Sequence, residues 1–380
     1  MARVKRGASL LAALVAGASF VVSSPGAGKP SWGALPFDPT GWRTDFSRHS
    51  VPLAEIVPGG PPKDGIPALD HPTFEDVARA SRWLRPREPV ILVERDGDAK
   101  VYPLQILIWH EIVNDAVGGV PVAVTFCPLC HTAIAYERRV GGQLLDFGTT
   151  GNLRFSDLVM YDRQTESWWQ QATGEAIVGA LTGARLSPVP AQIVAWSTVL
   201  DRLPRAQVLS RRTGYQRPYG HNPYVGYDDA TASPFLYRGP RDARLPPMER
   251  VVAVSLGGED VAYPFSLLEA VRVVNDAVGG TPLVVMYQKG VASALDRGSI
   301  AASRDVGTAA VFARSVRGRV LTFALRGDQV VDTRTHSTWT ILGEAISGPL
   351  RGARLAPVPA GQPFWFAWAA FKPRTRIFHR

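Results

Sequence analysis

The feature that most constrains this chain is an internal similarity between two distant stretches. Tyr102-Pro103 opens a stretch that closes with VNDAVGGVP at 113–121, and Tyr263-Pro264 opens another that closes with VNDAVGGTP at 274–282. The offset between paired positions stays constant along both stretches. A match of this length predicts two structural units of the same kind within one chain.

Further landmarks extend the similarity towards the end of each stretch. Six residues recur in the same order: Asp162, Thr165, Ser167, Trp169, Gly174 and Glu175 correspond to Asp332, Thr335, Ser337, Trp339, Gly343 and Glu344. Short strand patterns dominate both copies. We therefore predict an α+β fold with two tandem repeats of one strand-rich domain, the second copy being degenerate. The first segment covers 89–205 and the second segment covers 251–380.

The N-terminus predicts export. Residues 1–28 fit a signal peptide, because basic residues precede a short apolar run at 8–22 and small residues follow it. The run is shorter than the ~20 residues that a membrane span needs, so we expect no transmembrane span in the mature chain. The expected location is extracytoplasmic: periplasm, cell envelope or medium.

Two further parts of the chain carry no repeat landmark. Residues 29–88 form a Pro-rich N-terminal segment, and residues 206–250 form a connector rich in Tyr, Pro and Gly. The aromatic content of the connector predicts a strap packed on the domains. The net charge of +9 is spread without a basic stripe interleaved with aromatic residues, which argues against a nucleic-acid partner. No other partner is indicated.

Local patterns predict the elements of the first segment. Alternation at 90–94 predicts a strand, and the β-branched stretch 122–126 predicts another. Pro103 suits the start of a helix over 104–117, which Gly118-Gly119 would end. Gly141-Gly142 predicts a hairpin turn.

Comparison of the two segments separates structural from functional candidates. Asp162, Thr165, Ser167, Trp169 and Glu175 recur in both segments, so we interpret them as structural residues rather than an acid–base group.

A second group of residues belongs to the first segment alone. With the constant offset, Cys127, Cys130 and His131 align with Gln288, Val291 and Ala292, and His110 aligns with Val271. Trp109 and Glu111 also change, to Ala270 and Arg272. In addition, the first segment is longer between Gly148 and Asp162 than its counterpart.

These differences predict one shared site in the first segment. Cys127, Cys130, His131 and His110 supply thiolate and imidazole donors, which suit copper ahead of zinc. The site wall would contain Trp109 together with Phe155, Ser156 and Asp157 from the longer stretch. Such a centre points to electron transfer or metal handling, and the pattern does not decide whether the protein is an enzyme.

Three alternatives remain open at the level of sequence. Cys127 and Cys130 have the spacing of a thiol–disulfide redox pair. Cys-Pro-Leu-Cys-His at 127–131 matches the attachment pattern of haem c, with Met160, Met248 or Met286 as a further axial ligand. The chain also fits a non-catalytic scaffold or binding protein whose two cysteines form a local disulfide.

Several motifs together resemble the domain-of-unknown-function family 3179. They are FCPLC at 126–130, DFG at 146–148, LVMYDRQT at 158–165, WWQQ at 168–171, GEAI at 174–177 and YGHNPY at 219–224. The resemblance implies an exported bacterial or archaeal protein and brings no settled activity. Such relatives often carry Thr at the position of Cys130 and Gly or Asn at that of His131. Cys127 is therefore the most strongly indicated of the three residues.

Overall fold

The structure is a computed structural model that describes residues 35–379. The predicted signal peptide, 1–28, lies outside the described residues. From Pro36 onward the chain forms one compact unit. Its strands are many and its helices few and short, which confirms the α+β class. Within the described part, no helix is long and apolar enough to cross a membrane.

The N-terminal segment contributes three short elements and packs on the first segment. They are β1 (Ile56–Pro58), β2 (Phe74–Asp76) and helix α1 (Val77–Ala80), with a 3-10 turn at Leu53–Glu55. β1 pairs with the long hairpin of the first segment, and β2 joins the edge of another sheet through the connector. This segment is therefore part of the folded unit.

The first segment contains thirteen strands and two helices, of which the first lies between the second and third strands and the other follows the last strand. The strands β3 to β9 are Pro89–Arg95, Asp98–Pro103, Ile112–Val117, Val120–Cys127, Thr132–Glu137, Arg139–Val140 and Gln143–Leu144, with helix α2 at Leu104–His110. The strands β10 to β15 are Phe147–Arg154, Asp157–Asp162, Trp168–Gln170, Glu175–Val178, Pro188–Val189 and Gln192–Ala195, followed by helix α3 (Trp196–Arg202). Strand β16 (Gln207–Leu209) begins the connector.

The second segment begins with the same succession of elements. The strands β17 to β21 are Val251–Leu256, Glu259–Pro264, Val273–Val278, Thr281–Gln288 and Thr308–Ala313, with helix α4 at Phe265–Val271. The strands β22 to β28 are Ser315–Val316, Arg319–Val320, Phe323–Arg326, Gln329–Asp332, Thr338–Trp339, Ala356–Pro357 and Arg376–Ile377. A 3-10 turn lies at Ile300–Ala302, and helix α5 (Trp365–Phe371) precedes β28.

Strand registers in the two segments correspond closely. The β5–β6 hairpin pairs Val117 with Val120, and the β19–β20 hairpin pairs Val278 with Thr281. The sheets order these strands as β14-β7-β6-β5 and β19-β20-β21-β27, with a short edge strand beside the third strand of each. The same order of elements therefore produces the same local sheet twice.

The helix predicted over 104–117 is wrong in its second half. Helix α2 ends at His110, and residues 112–117 form strand β5. Gly118 and Gly119 do not cap a helix but form the two-residue turn to β6, both with positive φ. A turn of that type favours glycine and matches the twist of paired strands. The spacing of residues 106, 110, 113 and 117 fits one face of a helix, and 113 and 117 also fit one face of a strand. Pairing with β6 makes the stretch 112–117 a strand.

The recurring Asp162 and Asp332 are structural, as predicted. Asp162 accepts hydrogen bonds from the backbone and hydroxyl of Thr165 and from the indole of Trp169, the last at 2.9 Å. Asp332 accepts the equivalent bonds from Thr335 and Trp339. Both carboxylates are fully buried. Each ties a turn to the strand that follows it, which explains why both segments carry the same residues.

The connector lies on the folded unit as a strap. Its aromatic residues Tyr219, Tyr224, Tyr227 and Tyr237 pack against the hydrophobic core of the first segment. Val291, Leu295, Phe364 and Phe366 of the second segment belong to that same core. The two segments and the connector thus share one core around the end of strand β6.

We predict that Asp162→Asn lowers the free energy of unfolding by about 1–3 kcal/mol, because a buried acceptor loses its charge-assisted bonds. Chemical denaturation of the variant and of wild type measures the difference. Asp201→Asn is the control, since Asp201 is exposed on helix α3. Equal stability of wild type and the Asp162 variant would contradict the structural role.

Candidate metal centre

Cys127 and Cys130 lie at the turn between two central strands. Cys127 is the last residue of β6 and pairs with Thr132, the first residue of β7. The chain reverses over 128–131, and His131 takes up a positive φ of 54° to complete the turn. Both thiols are free and buried. The tight turn brings them to the same side of the strand end.

The two sulfurs form a compact group with one carboxylate. The Sγ atoms of Cys127 and Cys130 and a carboxylate oxygen of Asp157 all lie within 4.8 Å of one another. The Cys130 thiol donates to Oδ1 of Asp157 at 2.9 Å. Cys127 Sγ lies 3.8 Å from the carbonyl oxygen of Ser156. Three potential metal ligands therefore converge in the core.

The longer hairpin of the first segment places Asp157 in this group. Strands β10 and β11 meet at a tip formed by Phe155 and Ser156, both with positive φ. Asp157 follows directly and is fully buried. Its second oxygen accepts hydrogen bonds from the Gln170 amide and from the Ala172 backbone, the latter at 3.0 Å. These donors hold the carboxylate towards the sulfurs.

The residues predicted to form the site wall lie in different surroundings. Asp157 and Ser156 lie at the thiols, whereas the Phe155 ring packs on Tyr237 and Phe371. Asp157 contacts the sulfur directly, so it is a candidate ligand rather than part of a wall.

A second carboxyl, that of Glu111, lies beside the strand that carries Cys127. The carbonyl oxygen of Glu111 accepts the backbone N–H of Phe126 at 2.8 Å. Glu111 caps helix α2 with a φ of 58°, and its side chain is only 6% exposed. Within residues 35–379 its carboxyl has no hydrogen-bond or ion-pair partner. The sequence comparison had signalled this position, because Arg272 replaces Glu111 in the second segment.

Four buried acidic groups lie near this strand end, the two thiols and the carboxyls of Asp157 and Glu111, and the pKa of each is raised. Burial raises the pKa of the Cys127 thiol and, more strongly, that of Cys130. Burial raises the pKa of Asp157 to about 6, and burial together with the Asp157 charge raises the pKa of Glu111 to about 8. The Arg154 guanidinium acts on Asp157, but it is paired with Glu55 at 2.7 Å. The site is therefore suited to a cation.

The connector and the second segment together cover the cluster. The Tyr227 hydroxyl donates to the carbonyl of Leu129 at 2.9 Å, and Ser156 donates to the carbonyl of Phe235. The connector also contacts the second segment, where the backbone N–H of Gly226 donates to the carbonyl oxygen of Asp296 at 2.7 Å. Cys127 is consequently 1% exposed and Cys130 is fully buried.

His131 does not join the thiols in the structure. Its Nδ1 contacts the carbonyl oxygen of Gln362 at 2.8 Å, and its ring packs between Phe126 and Phe364. Burial lowers its pKa to about 3, so it is neutral. The residue docks the second segment onto the turn.

His110 is likewise held away from the group of donor atoms. Its Nδ1 lies 2.7 Å from the carbonyl oxygen of Pro67, and its Nε2 lies 2.6 Å from the hydroxyl of Tyr219. The neighbouring Trp109 donates its indole N–H to the carbonyl of His221 at 3.2 Å. Both side chains anchor the connector. These contacts to Tyr219 and His221 account for the two side chains at 109 and 110.

The counterparts assigned to Cys130 and His131 by constant offset are wrong. In the second segment Gln288 pairs with Thr308, as Cys127 pairs with Thr132. The short turn 128–131 therefore corresponds to the long loop 289–307. Cys127 keeps Gln288 as its counterpart, while Cys130 and His131 have none.

A family model described as "Protein of unknown function (DUF3179)" matches residues 63–375. The chain belongs to this family. The match confirms the resemblance carried by the FCPLC, YDRQT and WWQQ motifs. No curated protein and no solved structure matches the chain.

We predict that His110 contributes to loss of stability in acid. Burial lowers the pKa of His110 to about 4, against an ordinary value of 6.5. The unfolded chain therefore takes up a proton that the folded chain does not, and stability falls as the pH drops from 6.5 towards 4. His110→Val, which introduces the counterpart residue, should reduce this loss by roughly 1–3 kcal/mol.

Chemical denaturation at a series of pH values gives the slope of the free energy of unfolding against pH. This slope reports proton uptake by His110 and separates it from the loss of its hydrogen bonds. Parallel slopes for wild type and His110→Val between pH 6.5 and 4 would show that His110 is not the group responsible.

Proposed function

We propose that this protein binds a thiophilic divalent metal ion at Cys127, Cys130 and Asp157, with zinc preferred over copper. The observation that carries the proposal is the convergence of three donor atoms within 4.8 Å in a buried site. Zinc is commonly held by thiolate and carboxylate ligands in such numbers.

The second segment supplies an internal comparison that supports a cation. Arg272 occupies the position of Glu111 and forms an ion pair with Asp328 at 2.6 Å, where Asp328 lies at the tip of the shorter hairpin. In the first segment the place of Arg272 is taken by the acidic Glu111, and Asp157 follows directly on the tip of the longer hairpin. A bound metal ion would supply there the positive charge that a guanidinium supplies in the second segment.

The donor atoms that converge in the structure favour zinc, whereas the donors expected from the sequence favour copper. Copper was favoured because imidazoles were expected beside the thiolates, but both candidate histidines are hydrogen-bonded elsewhere. Two thiolates and one carboxylate carry three negative charges, which a divalent ion offsets better than a monovalent copper ion. Zinc also accepts mixed sulfur and oxygen ligands readily.

We further propose that the protein is exported and that its two segments are copies of one domain. The N-terminal sequence supports export. The common order of elements, the matched hairpin registers and the two Asp-centred networks support duplication. In this view the second copy lost its centre and kept its fold.

Metal analysis tests the proposed function. The full chain, purified without chelator, should contain about one zinc ion per chain. Cys127→Ser and Asp157→Asn should each reduce the content at least about 10-fold, because metal sites of this kind need every protein ligand. Gln288→Ser is the matched control at the counterpart position and should retain the metal. A metal-free wild type with a Cys127–Cys130 disulfide would overturn the proposal.

A thiol–disulfide redox pair is the second candidate, favoured by the proximity of the two free thiols. Against it, burial raises the pKa of both groups, and a reactive thiol needs the opposite shift and an accessible sulfur. Haem c attachment is less well supported, since aromatic rings enclose His131.

We predict that iodoacetamide alkylates the native, metal-free protein at least about 100-fold more slowly than the unfolded chain, because thiolates are scarce and enclosed. Mass spectrometry of timed samples measures the two rates. Fast alkylation of native Cys127 would favour the redox function instead.

A further inference from the structure

An open cavity lies in the second segment at the place that corresponds to the thiol cluster of the first. Its volume is about 260 Å³. Gln288, the counterpart of Cys127 by strand pairing, lines it, and so does Arg272, the counterpart of Glu111. Its other walls come from helix α3, the tip of the β24–β25 hairpin and the stretch that follows β25. The second segment is therefore hollow where the first is filled.

The length of the hairpin accounts for this difference. In the first segment, strands β10 and β11 have eight and six residues, and Asp157 next to their tip fills the place beside Cys127. In the second segment, β24 and β25 have four residues each, and their tip at Asp328 forms part of the cavity wall. The shorter hairpin thus leaves the space at the end of β20 open to a ligand.

Two arginines line the cavity and bring positive charge to it. Arg272 forms an ion pair with Asp328 at 2.6 Å, but the Asp328 side chain is 95% exposed, so the pair is weak and replaceable. Arg202 of helix α3 donates to Glu344 at 2.6 Å through Nη2 alone, and its Nη1 has no acceptor among the described residues. Guanidinium groups with donors to spare suit a carboxylate, which accepts two hydrogen bonds side by side.

The inner wall of the cavity is apolar. Met286, Trp339 and Ile341 line it and are 1%, 3% and 6% exposed. The indole N–H of Trp339 is bonded to Asp332, so the ring presents no unpaired donor to the cavity. At the rim, Ile346 is 38% exposed, so the cavity is open to solvent on that side. A ligand with an apolar body can therefore enter and cover this wall.

The acidic neighbours and the volume decide the class of anion. Asp201 and Asp328 also line the cavity, and both are exposed. Together with Glu344 on Arg202, these carboxylates disfavour a multiply charged anion such as phosphate. Drug-sized ligands need about 300–1,000 Å³, so a cavity of about 260 Å³ suits a smaller molecule. A singly charged carboxylate with a compact apolar body meets both conditions.

We propose that this cavity binds a small organic monocarboxylate. Arg272 and Arg202 hold its carboxylate, and the buried apolar wall covers its apolar body. The ligand displaces Asp328 from Arg272 into solvent, where the charge of Asp328 is hydrated. The exchange of Glu111 for Arg272 is the difference between the segments that gives this place a positive charge. The site does not depend on the proposed metal centre, which lies in the first segment.

Calorimetric titration of the full chain tests the site, with benzoate as the probe and benzamide as its neutral analogue of similar shape. Wild type should bind benzoate at least about 10-fold more tightly than benzamide, because only the anion can pair with the arginines. Arg272→Gln should raise the Kd for benzoate at least about 10-fold. Arg351→Gln is the control with the same change of charge, since Arg351 is exposed and does not line the cavity. Both variants should remain folded, which thermal unfolding checks, because Arg272 pairs with an exposed carboxylate.

The methyl signals of methionine locate the bound probe. Met286 lines the cavity, whereas Met160 lies in the core of the first segment. In protein labelled with carbon-13 at the methionine methyl groups, benzoate should shift the Met286 signal, which Met286→Leu identifies, and leave that of Met160 unchanged. Equal affinity for benzoate and benzamide, an unchanged Kd in Arg272→Gln, or binding without a shift of Met286 would overturn the proposal. Failure of wild type to bind benzoate would also overturn it.

Discussion

The enclosure of four acidic groups at one strand end is the constraint on which the rest of this structure depends. Two thiols and two carboxyls lie within the core of the first segment, and Cys130 and Asp157 are fully buried. Ionised groups in such a place are costly unless a counter-charge is present. Protonation removes this cost, but protonated thiols and carboxyls are poor metal ligands. A bound cation also removes the cost, and it leaves the ligands charged. A cation would therefore stabilise the ionised form of these groups.

The second segment takes part in that enclosure, which gives it a physical role without a centre of its own. Its loop 289–307 supplies Val291 and Leu295 to the core around the thiols, and the segment before helix α5 supplies Phe364. The backbone of Phe364 also donates to the carbonyl of Cys130 at 2.9 Å. The long loop that replaces the cysteine turn in the second segment thus helps to cover that turn in the first.

Much of the fold was predictable because both segments carry the same local signals. The strands around 90–94 and 122–126 and the hairpin at Gly141-Gly142 occur as expected. The stretch 112–117 was misassigned because its apolar spacing satisfies a helix as well as a strand, and only the pairing with β6 decides between them. Signals that depend on a partner strand cannot be read from one stretch alone.

The site was predictable in part, for a related reason. The difference between the segments identified Cys127, and the longer hairpin pointed to Asp157. The same comparison misled at His110 and Trp109, whose differences arise from the connector they anchor. A residue present in one segment alone marks any difference between the two segments, and contact with the connector is such a difference just as a chemical role is.

Glu111 shows how the two kinds of asymmetry are told apart. His110 satisfies both ring nitrogens with groups of the chain, so its contacts account for it completely. Glu111 is as well enclosed, yet no group of the described chain satisfies its carboxyl, and its counterpart Arg272 is paired. The hydrogen bonds of His110 indicate a structural residue, whereas Glu111 differs from its counterpart in charge and lies near the acidic Asp157. The acidic group at position 111 therefore distinguishes the first segment at the strand end that carries Cys127.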